Sequence, residues 1–163
     1  LDFFCFIYLF VCLFPVPHRP PPRPHLLFSL QWPEGATALI RACKGGHTST
    51  ARALVKAGAN VEAKANNGGT PLILASTSGH LTTVKFLVEE GHANVEAKDK
   101  EDGYTPLIWA SGNGDLTTVK FLVEEGHANV EAKDNDGSTA LGWAKMCGER
   151  RVVAYLRSKG ATE

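Results

Sequence analysis

Two acidic clusters, each followed by a histidine, are the residues most able to carry chemistry in this chain. Each cluster has two neighbouring glutamates and a histidine two positions later. The two sets are Glu89, Glu90 and His92, and Glu124, Glu125 and His127. Carboxylates and imidazoles are zinc ligands, but neither set has a cysteine or a second histidine at ligand spacing. We therefore interpret both sets as solvated helix ends.

Neither the Gly-x-Thr triplets nor Cys43 and Cys147 have the surroundings of a phosphate-binding or catalytic site. Gly-x-Thr triplets recur along the chain, but no Gly-Lys-Ser/Thr sequence follows them, as a phosphate-binding loop would require. Cys43 lies next to Lys44, and Cys147 lies near Lys145, without a positioned base that would activate the thiol. We therefore expect no enzyme activity, no bound metal and no cofactor.

A tandem repeat determines how these residues are positioned. Residues 81–99 read LTTVKFLVEEGHANVEAKD, and residues 116–134 have the same nineteen letters. Looser copies flank this pair, because a Gly-x-Thr triplet followed by Pro or Ala and then Leu occurs four times. The four threonines are Thr37, Thr70, Thr105 and Thr139. Their spacings of 33, 35 and 34 residues are typical of stacked supersecondary units.

Each repeat predicts two short helices followed by a loop. Thr is a good residue to precede a helix, and Pro fits the first helical position. A glycine stands nine residues after each Thr and is expected to end the first helix in a left-handed conformation. These glycines are Gly46, Gly79, Gly114 and Gly148. Leu81, Val84, Leu87 and Val88 have the spacing of one buried face of a second helix. The predicted ends of the second helices are Gly58, Gly91, Gly126 and Gly160.

These units resemble the ankyrin repeat. The resemblance rests on the following residues and their equivalents in each unit: Thr70-Pro71-Leu72, Ala75, Gly79-His80, Leu87, Gly91 and Ala93. The units are 34–66, 67–101, 102–135 and 136–163. The resemblance implies an all-α solenoid of stacked helix-turn-helix units joined by hairpin loops. We expect the fourth unit to be a C-terminal cap, since Arg157 stands where the others have Val55, Val88 and Val123.

The first thirty-three residues, which we call the N-terminal arm, are a different kind of sequence. An apolar run spans residues 3–14, and seven of the nine prolines fall between Pro15 and Pro33. The run is too short to span a membrane, and it lacks the basic start of a secretory signal. We expect the arm to be disordered or not native. Three interpretations stay open: a truncated or wrongly predicted gene end, a targeting or anchoring segment, and a folded extension.

Charge and cysteine usage restrict the partners and the compartment. The chain has seventeen basic and seventeen acidic residues, and the two signs are interleaved in the repeats. This pattern is not that of a phosphate-tracking surface, so nucleic acid is not an expected partner. Cys43 and Cys147 lie in the first and fourth units, too far apart to form a disulfide. We expect a cytoplasmic monomer, with membrane contact only if residues 3–14 act as an anchor.

Variable positions on one side of the repeats predict a protein-binding surface. In ankyrin modules, partners usually sit in a concave groove formed by hairpin tips and the exposed side of the first helices. The candidate protein-binding residues on that side are Arg41, Leu74, Tyr104, Trp109 and Trp143. Rigid, partly exposed aromatic side chains are the usual anchors of protein interfaces. The alternative is that Trp109 and Trp143 pack against each other as ordinary core.

The predicted function is that of a protein–protein interaction scaffold, which binds a protein partner through the concave groove. The alternative is that the chain is a fragment of a larger protein, in which the repeats regulate an attached enzyme or channel. The fold does not choose between them, because function depends on the site rather than on the scaffold.

Overall fold

The computed structural model describes residues 37–162, which form eight α-helices arranged as four pairs. The first helix of each pair has seven residues and the second has nine. In chain order the helices are α1 (Ala38–Lys44), α2 (Thr48–Lys56), α3 (Pro71–Thr77), α4 (Leu81–Glu89), α5 (Pro106–Gly112), α6 (Leu116–Glu124), α7 (Ala140–Met146) and α8 (Arg150–Ser158). The described residues all belong to one compact unit, Trp32–Glu163. The predicted N-terminal arm lies outside the described residues.

The helical content confirms the predicted all-α repeat fold. Residues 37–162 contain no strand, and one isolated antiparallel bridge links Lys133 to Thr139. Cys43 and Cys147 are free thiols. None of the helices described above is long and apolar enough to cross a membrane.

Each first helix begins after a threonine, as the sequence predicts. Every one of these side chains accepts a hydrogen bond of 3.3 Å from the backbone N–H three residues later. The four capping residues are Thr37, Thr70, Thr105 and Thr139. Pro71 and Pro106 occupy the first turn of α3 and α5, where a missing N–H costs nothing. The predicted glycines after these helices have φ between 71° and 78°, the left-handed conformation expected of them.

All four second helices end two residues before the predicted glycine, but the residue that reverses the chain differs between them. After α2 and α8 the left-handed residue is the predicted glycine, Gly58 or Gly160. After α4 and α6 it is a histidine, with φ of 52° at His92 and 53° at His127. Helices α4 and α6 therefore differ from α2 and α8 in the residue that reverses the chain, and not in where the helix ends relative to the predicted glycine.

Gly91 and Gly126 have a different role, which is close approach to the preceding helix. A Cβ atom at Gly91 would lie 2.7 Å from the carbonyl oxygen of Leu87, and one at Gly126 would lie 2.8 Å from that of Leu122. Both contacts are shorter than a real Cβ tolerates. The inserted histidine thus moves the chain reversal one residue further on, while the glycine keeps the helix end compact.

The core is built by stacking neighbouring pairs. The first helices contribute leucines that are 1–2 % exposed: Leu39, Leu72, Leu107 and Leu141. The second helices contribute side chains that are fully buried: Val84, Leu87, Val119, Leu122, Val152 and Leu156. Burial of one such side chain stabilises the fold by about 1.5–3 kcal/mol. In α8, Arg157 is exposed, whereas its equivalents Val55, Val88 and Val123 pack against the core.

Polar contacts repeat at every junction between pairs. A glutamate carboxylate in the loop after each second helix accepts a hydrogen bond from a backbone N–H of the next loop. The bonds are Asn94 to Glu62 at 2.8 Å, Asn129 to Glu96 at 2.8 Å, and Thr162 to Glu131 at 2.7 Å. A cation of each second helix also lies over an aromatic ring of the next. These pairs are Arg52 and Phe86 at 4.7 Å, Lys85 and Phe121 at 5.5 Å, and Lys120 and Tyr155 at 5.7 Å.

Helices α4 and α6 have the same sequence but different N-terminal caps. The carboxylate of Asp115 accepts hydrogen bonds from the N–H groups of Thr117 (3.2 Å) and Thr118 (3.1 Å) at the start of α6. His80 precedes α4 and makes no side-chain cap bond. Its Nε2 instead lies 3.0 Å from the carbonyl oxygen of Lys44 in the preceding pair. Identical helices are therefore fixed at their N-termini by different interactions.

We expect His92→Gly to raise the free energy of unfolding by about 0.5–1 kcal/mol. A left-handed conformation costs a residue with a Cβ atom about 1–2 kcal/mol, and the greater flexibility of glycine in the unfolded chain offsets part of this gain. Urea unfolding of the full chain measures the change. His92→Ala is the matched control, because alanine retains the Cβ atom. Equal stability of the Gly and Ala variants would show that the histidine backbone is not strained.

Two buried serine hydroxyls lack hydrogen-bond partners, and this yields a second stability prediction. Ser76 and Ser111 are both 0 % exposed, and their Oγ atoms have no partner. Ser76→Ala should therefore stabilise the fold by about 1 kcal/mol, because it removes an unsatisfied polar atom. Thr83→Val is the control, and it should instead lower the stability of the fold. Thr83 is equally buried, but its hydroxyl lies 2.7 Å from that of Thr48. A loss of stability in Ser76→Ala would contradict the prediction.

Candidate protein-binding surface

Three of the predicted aromatic side chains form one cluster. The Tyr104 ring contacts Trp109 at a centroid distance of 5.2 Å and an interplanar angle of 83°. It contacts Trp143 at 4.9 Å and 70°. Both contacts are edge-to-face, a geometry that favours aromatic pairs beyond the area they bury. All three side chains are half-buried. We call Tyr104, Trp109 and Trp143 the aromatic cluster.

Two aspartates fix the orientation of the indole rings. The Nε1 of Trp109 donates to a carboxylate oxygen of Asp99 at 3.0 Å, and that of Trp143 donates to Asp134 at 2.7 Å. A hydrogen bond to a charged acceptor is stronger than one between neutral groups. Each tryptophan thus lies on a first helix while its polar edge is tied to the hairpin that precedes that helix.

The same aspartates also shape the hairpins. The second oxygen of Asp99 accepts hydrogen bonds from the N–H groups of Asp102, Gly103 and Tyr104, at 2.9–3.2 Å. The second oxygen of Asp134 accepts from Asp136 and Ser138, at 2.9 and 2.8 Å. Each carboxylate therefore couples the conformation of its hairpin to the position of the tryptophan.

Neighbouring hairpins are joined through their backbones. The N–H of Asn135 donates to the carbonyl oxygen of Asp102 at 2.9 Å. The equivalent bond one unit earlier runs from Lys100 to Asn67, also at 2.9 Å. Because the hairpins of the third and fourth units are fixed to each other, Tyr104 of one unit meets Trp143 of the next. The cluster therefore depends on two stacked units.

The environment of Tyr104 is both buried and acidic. Burial raises the pKa of the Tyr104 hydroxyl, and four carboxylates raise it further: Asp102, Asp134, Asp99 and Asp136. A higher pKa keeps the phenol protonated and neutral at physiological pH. The cluster is thus an uncharged aromatic surface beside several negative charges.

The other two predicted residues lie outside these ring contacts. Arg41 is on α1, two pairs away from Trp109, and is exposed. Leu74 on α3 is only 1 % exposed, so it presents no surface to a partner. This is contrary to its prediction as a protein-binding residue. Six of the seven residues of α3 are buried.

The sequence prediction missed Asp99 and Asp134, although a signal for them exists. Asp134 precedes Trp143 by nine residues, and Asp99 precedes Trp109 by ten, where the loop has one more residue. In the second unit Leu74 replaces the tryptophan, and the equivalent of the aspartate is Ala65. The aspartate and the tryptophan therefore change together within this one chain, which indicates their contact.

The acidic clusters next to His92 and His127 do not form a metal site in this structure. Among residues 37–162 no group of three or more His, Cys, Asp and Glu side chains is placed to hold a metal ion. Glu90 instead pairs with Arg52, and Glu124 accepts hydrogen bonds from Tyr155 at 3.1 Å and lies 3.0 Å from Lys159.

Comparison with known families agrees with this architecture. The family model described as Ankyrin repeats (3 copies) matches residues 21–99 and again residues 91–162. No match was found among curated proteins. The matched stretches cover most of the chain, and threonine-capped first helices followed by second helices and hairpins are what the resemblance implied. The chain belongs to the ankyrin repeat family.

Proposed function

We propose that this chain is a scaffold that binds a protein partner through its concave groove, with the aromatic cluster as the anchor. Ankyrin repeats are generally protein-interaction modules and typically non-catalytic. The observation that carries the proposal is the cluster itself. Three half-buried rings are held in place by edge-to-face contacts and by two hydrogen bonds to carboxylates.

The rigidity of the cluster supports a role in binding. Association costs side-chain entropy when flexible groups become ordered, and a surface that is already ordered avoids much of that cost. Aromatic side chains also provide a large contact area with few rotatable bonds, which is why they dominate interface energetics. The hydrogen bonds to Asp99 and Asp134 fix the orientation of Trp109 and Trp143 before a partner binds.

The proposal also includes Arg41, a cytoplasmic location and a monomeric state. Arg41 stays a candidate at the other end of the groove, since it is exposed on α1. Leu74 is not included, because it is buried. The cytoplasmic location and the monomeric state remain predictions from the sequence. The free thiols of Cys43 and Cys147 fit a reducing compartment.

We expect Trp109→Leu and Trp143→Leu to remove partner binding with only a modest loss of stability. Leucine fills the equivalent position in the second unit, at Leu74, so the fold accommodates it there. Each indole is half-buried, so the cost should stay below about 2 kcal/mol rather than reach the 3–5 kcal/mol of truncating a buried aromatic. The measurement is capture of partner proteins by the immobilised full chain, identified by mass spectrometry, together with melting curves.

Tyr155→Leu provides the matched control for these two variants. Tyr155 is also a half-buried aromatic side chain, but it lies on the second helix α8 rather than in the groove. Partners that the control retains and both tryptophan variants lose are groove partners. If the tryptophan variants retain the same partners, the proposed site is wrong. If they lose 3 kcal/mol or more of stability, the rings belong to the core.

A further inference from the structure

Two short hairpins carry the polar contacts that hold the aromatic cluster. We call residues 99–104 the α5 hairpin and residues 134–138 the α7 hairpin, after the first helices that follow them. Asp134 is 6 % exposed, and its carboxylate accepts hydrogen bonds of 2.7–2.9 Å from the indole of Trp143 and from two backbone N–H groups of the α7 hairpin. A buried carboxylate that loses its donors costs free energy, so Asp134 holds the ring and its hairpin in one arrangement.

The two hairpins meet at Asn135, the residue after Asp134. Its backbone N–H donates to the carbonyl oxygen of Asp102 at 2.9 Å, and its side-chain amide donates to the carbonyl oxygen of Glu101 at 3.3 Å. The approach is close, because a Cβ atom at Gly103 would lie 3.1 Å from the backbone nitrogen of Asn135. A displacement of the α7 hairpin must therefore move the α5 hairpin or break these bonds.

One peptide group connects this junction to Trp109. The carbonyl oxygen of the peptide between Asp102 and Gly103 accepts the bond from Asn135. The N–H of the same peptide donates to Asp99 at 2.9 Å. Because a peptide group is planar, it cannot turn away from one partner and keep its orientation toward the other. Asp99 in turn accepts the indole N–H of Trp109 at 3.0 Å, so the hydrogen bonds and the short backbone segments between them run from one indole to the other.

In the second unit the same backbone connection exists without the carboxylate and the indole. The N–H of Lys100 donates to the carbonyl oxygen of Asn67 at 2.9 Å. The position of the aspartate is held by Ala65, and that of the tryptophan by Leu74. The carboxylate is therefore the component that ties a hairpin to an indole.

We propose that Asp134 positions both tryptophans of the aromatic cluster, Trp143 directly and Trp109 through the joined hairpins. The inference rests on the proposed function, because it states how the anchors of the groove are held. Displacement of one ring strains the bonds that hold the other, so a partner meets the two indoles as one rigid surface. A second connection runs through Tyr104, whose ring contacts both indoles.

Hydrogen exchange of the indole N–H groups in the free protein tests the inference. The protein is the full chain with Trp32→Phe, which leaves Trp109 and Trp143 as the remaining two of its three tryptophans. In Asp134→Asn, one carboxylate oxygen becomes an amide nitrogen that cannot accept, while the size of the side chain is kept. We expect exchange to speed up about tenfold at Trp143, whose own bond is weakened, and about threefold at Trp109. Nuclear magnetic resonance of the two indole N–H signals measures both rates.

Asp136→Asn is the matched control. It removes the same charge from the same hairpin, at an exposed position, and it retains the backbone N–H that donates to Asp134. Exchange at Trp109 should therefore stay as in the parent chain. Equal acceleration by Asp136→Asn and Asp134→Asn would overturn the inference, since the effect would then follow charge alone.

Two further variants identify the route. Asp99→Asn tests the link from the other end and should speed up exchange at Trp143, because coupling between two sites is reciprocal. This variant also carries the test if Asp134→Asn does not fold. Tyr104→Leu removes the ring connection. In that background Asp134→Asn should still speed up exchange at Trp109 about threefold, and loss of the effect would overturn the role of the hairpins.

The outcomes separate this inference from the proposed function, because exchange is measured without a partner. If exchange at Trp109 is unchanged in Asp134→Asn while Trp109→Leu still removes partner capture, the coupling is wrong and the groove assignment stands. If the coupling is found but both tryptophan variants retain every partner, the proposed function fails and the positioning role of Asp134 remains.

Discussion

Each helix pair leaves apolar surface uncovered, and only the neighbouring pair can cover it. The stacked leucines of the first helices and the buried face of the second helices are the main result of this constraint. The glutamate bonds between loops and the cation–ring contacts recur at the same junctions. The aromatic cluster obeys the same rule, because Tyr104 belongs to one unit and Trp143 to the next. The candidate site is therefore a property of two stacked units, not of a single repeat.

Most of the fold was predictable from the sequence, because it depends on local signals. Threonine caps, proline at the first helical position and left-handed glycines each act within one turn of the chain. The sequence did not indicate which residue reverses the chain after α4 and α6, where the left-handed residue is His92 or His127. Composition alone favours glycine at such a position. The competing requirement was steric, since a Cβ atom at Gly91 would lie 2.7 Å from the carbonyl oxygen of Leu87.

The candidate site was predictable only in part. Position in the repeat identified the aromatic residues, but it gave Leu74 the same status as Trp109. Burial separates them, since Leu74 is 1 % exposed whereas Trp109 is half-buried. Asp99 and Asp134 were missed because their hydrogen bonds to the indoles span nine or ten residues and a chain reversal. In the second unit Ala65 and Leu74 replace the aspartate and the tryptophan together, which agrees with the contact between them. One chain with four units provides few such comparisons.

The duplicated helices α4 and α6 have a consequence for how the chain finds its register. Since their sequences are identical, the second helices alone do not distinguish the correct alignment from one shifted by a whole unit. The two units differ in their first helices and hairpins, above all at Leu74 and Trp109. They differ also in nucleation, because Asp115 caps α6 and lowers the cost of its first turn, whereas His80 does not cap α4. The Asp115 cap therefore favours helix formation at the start of α6 over the start of α4.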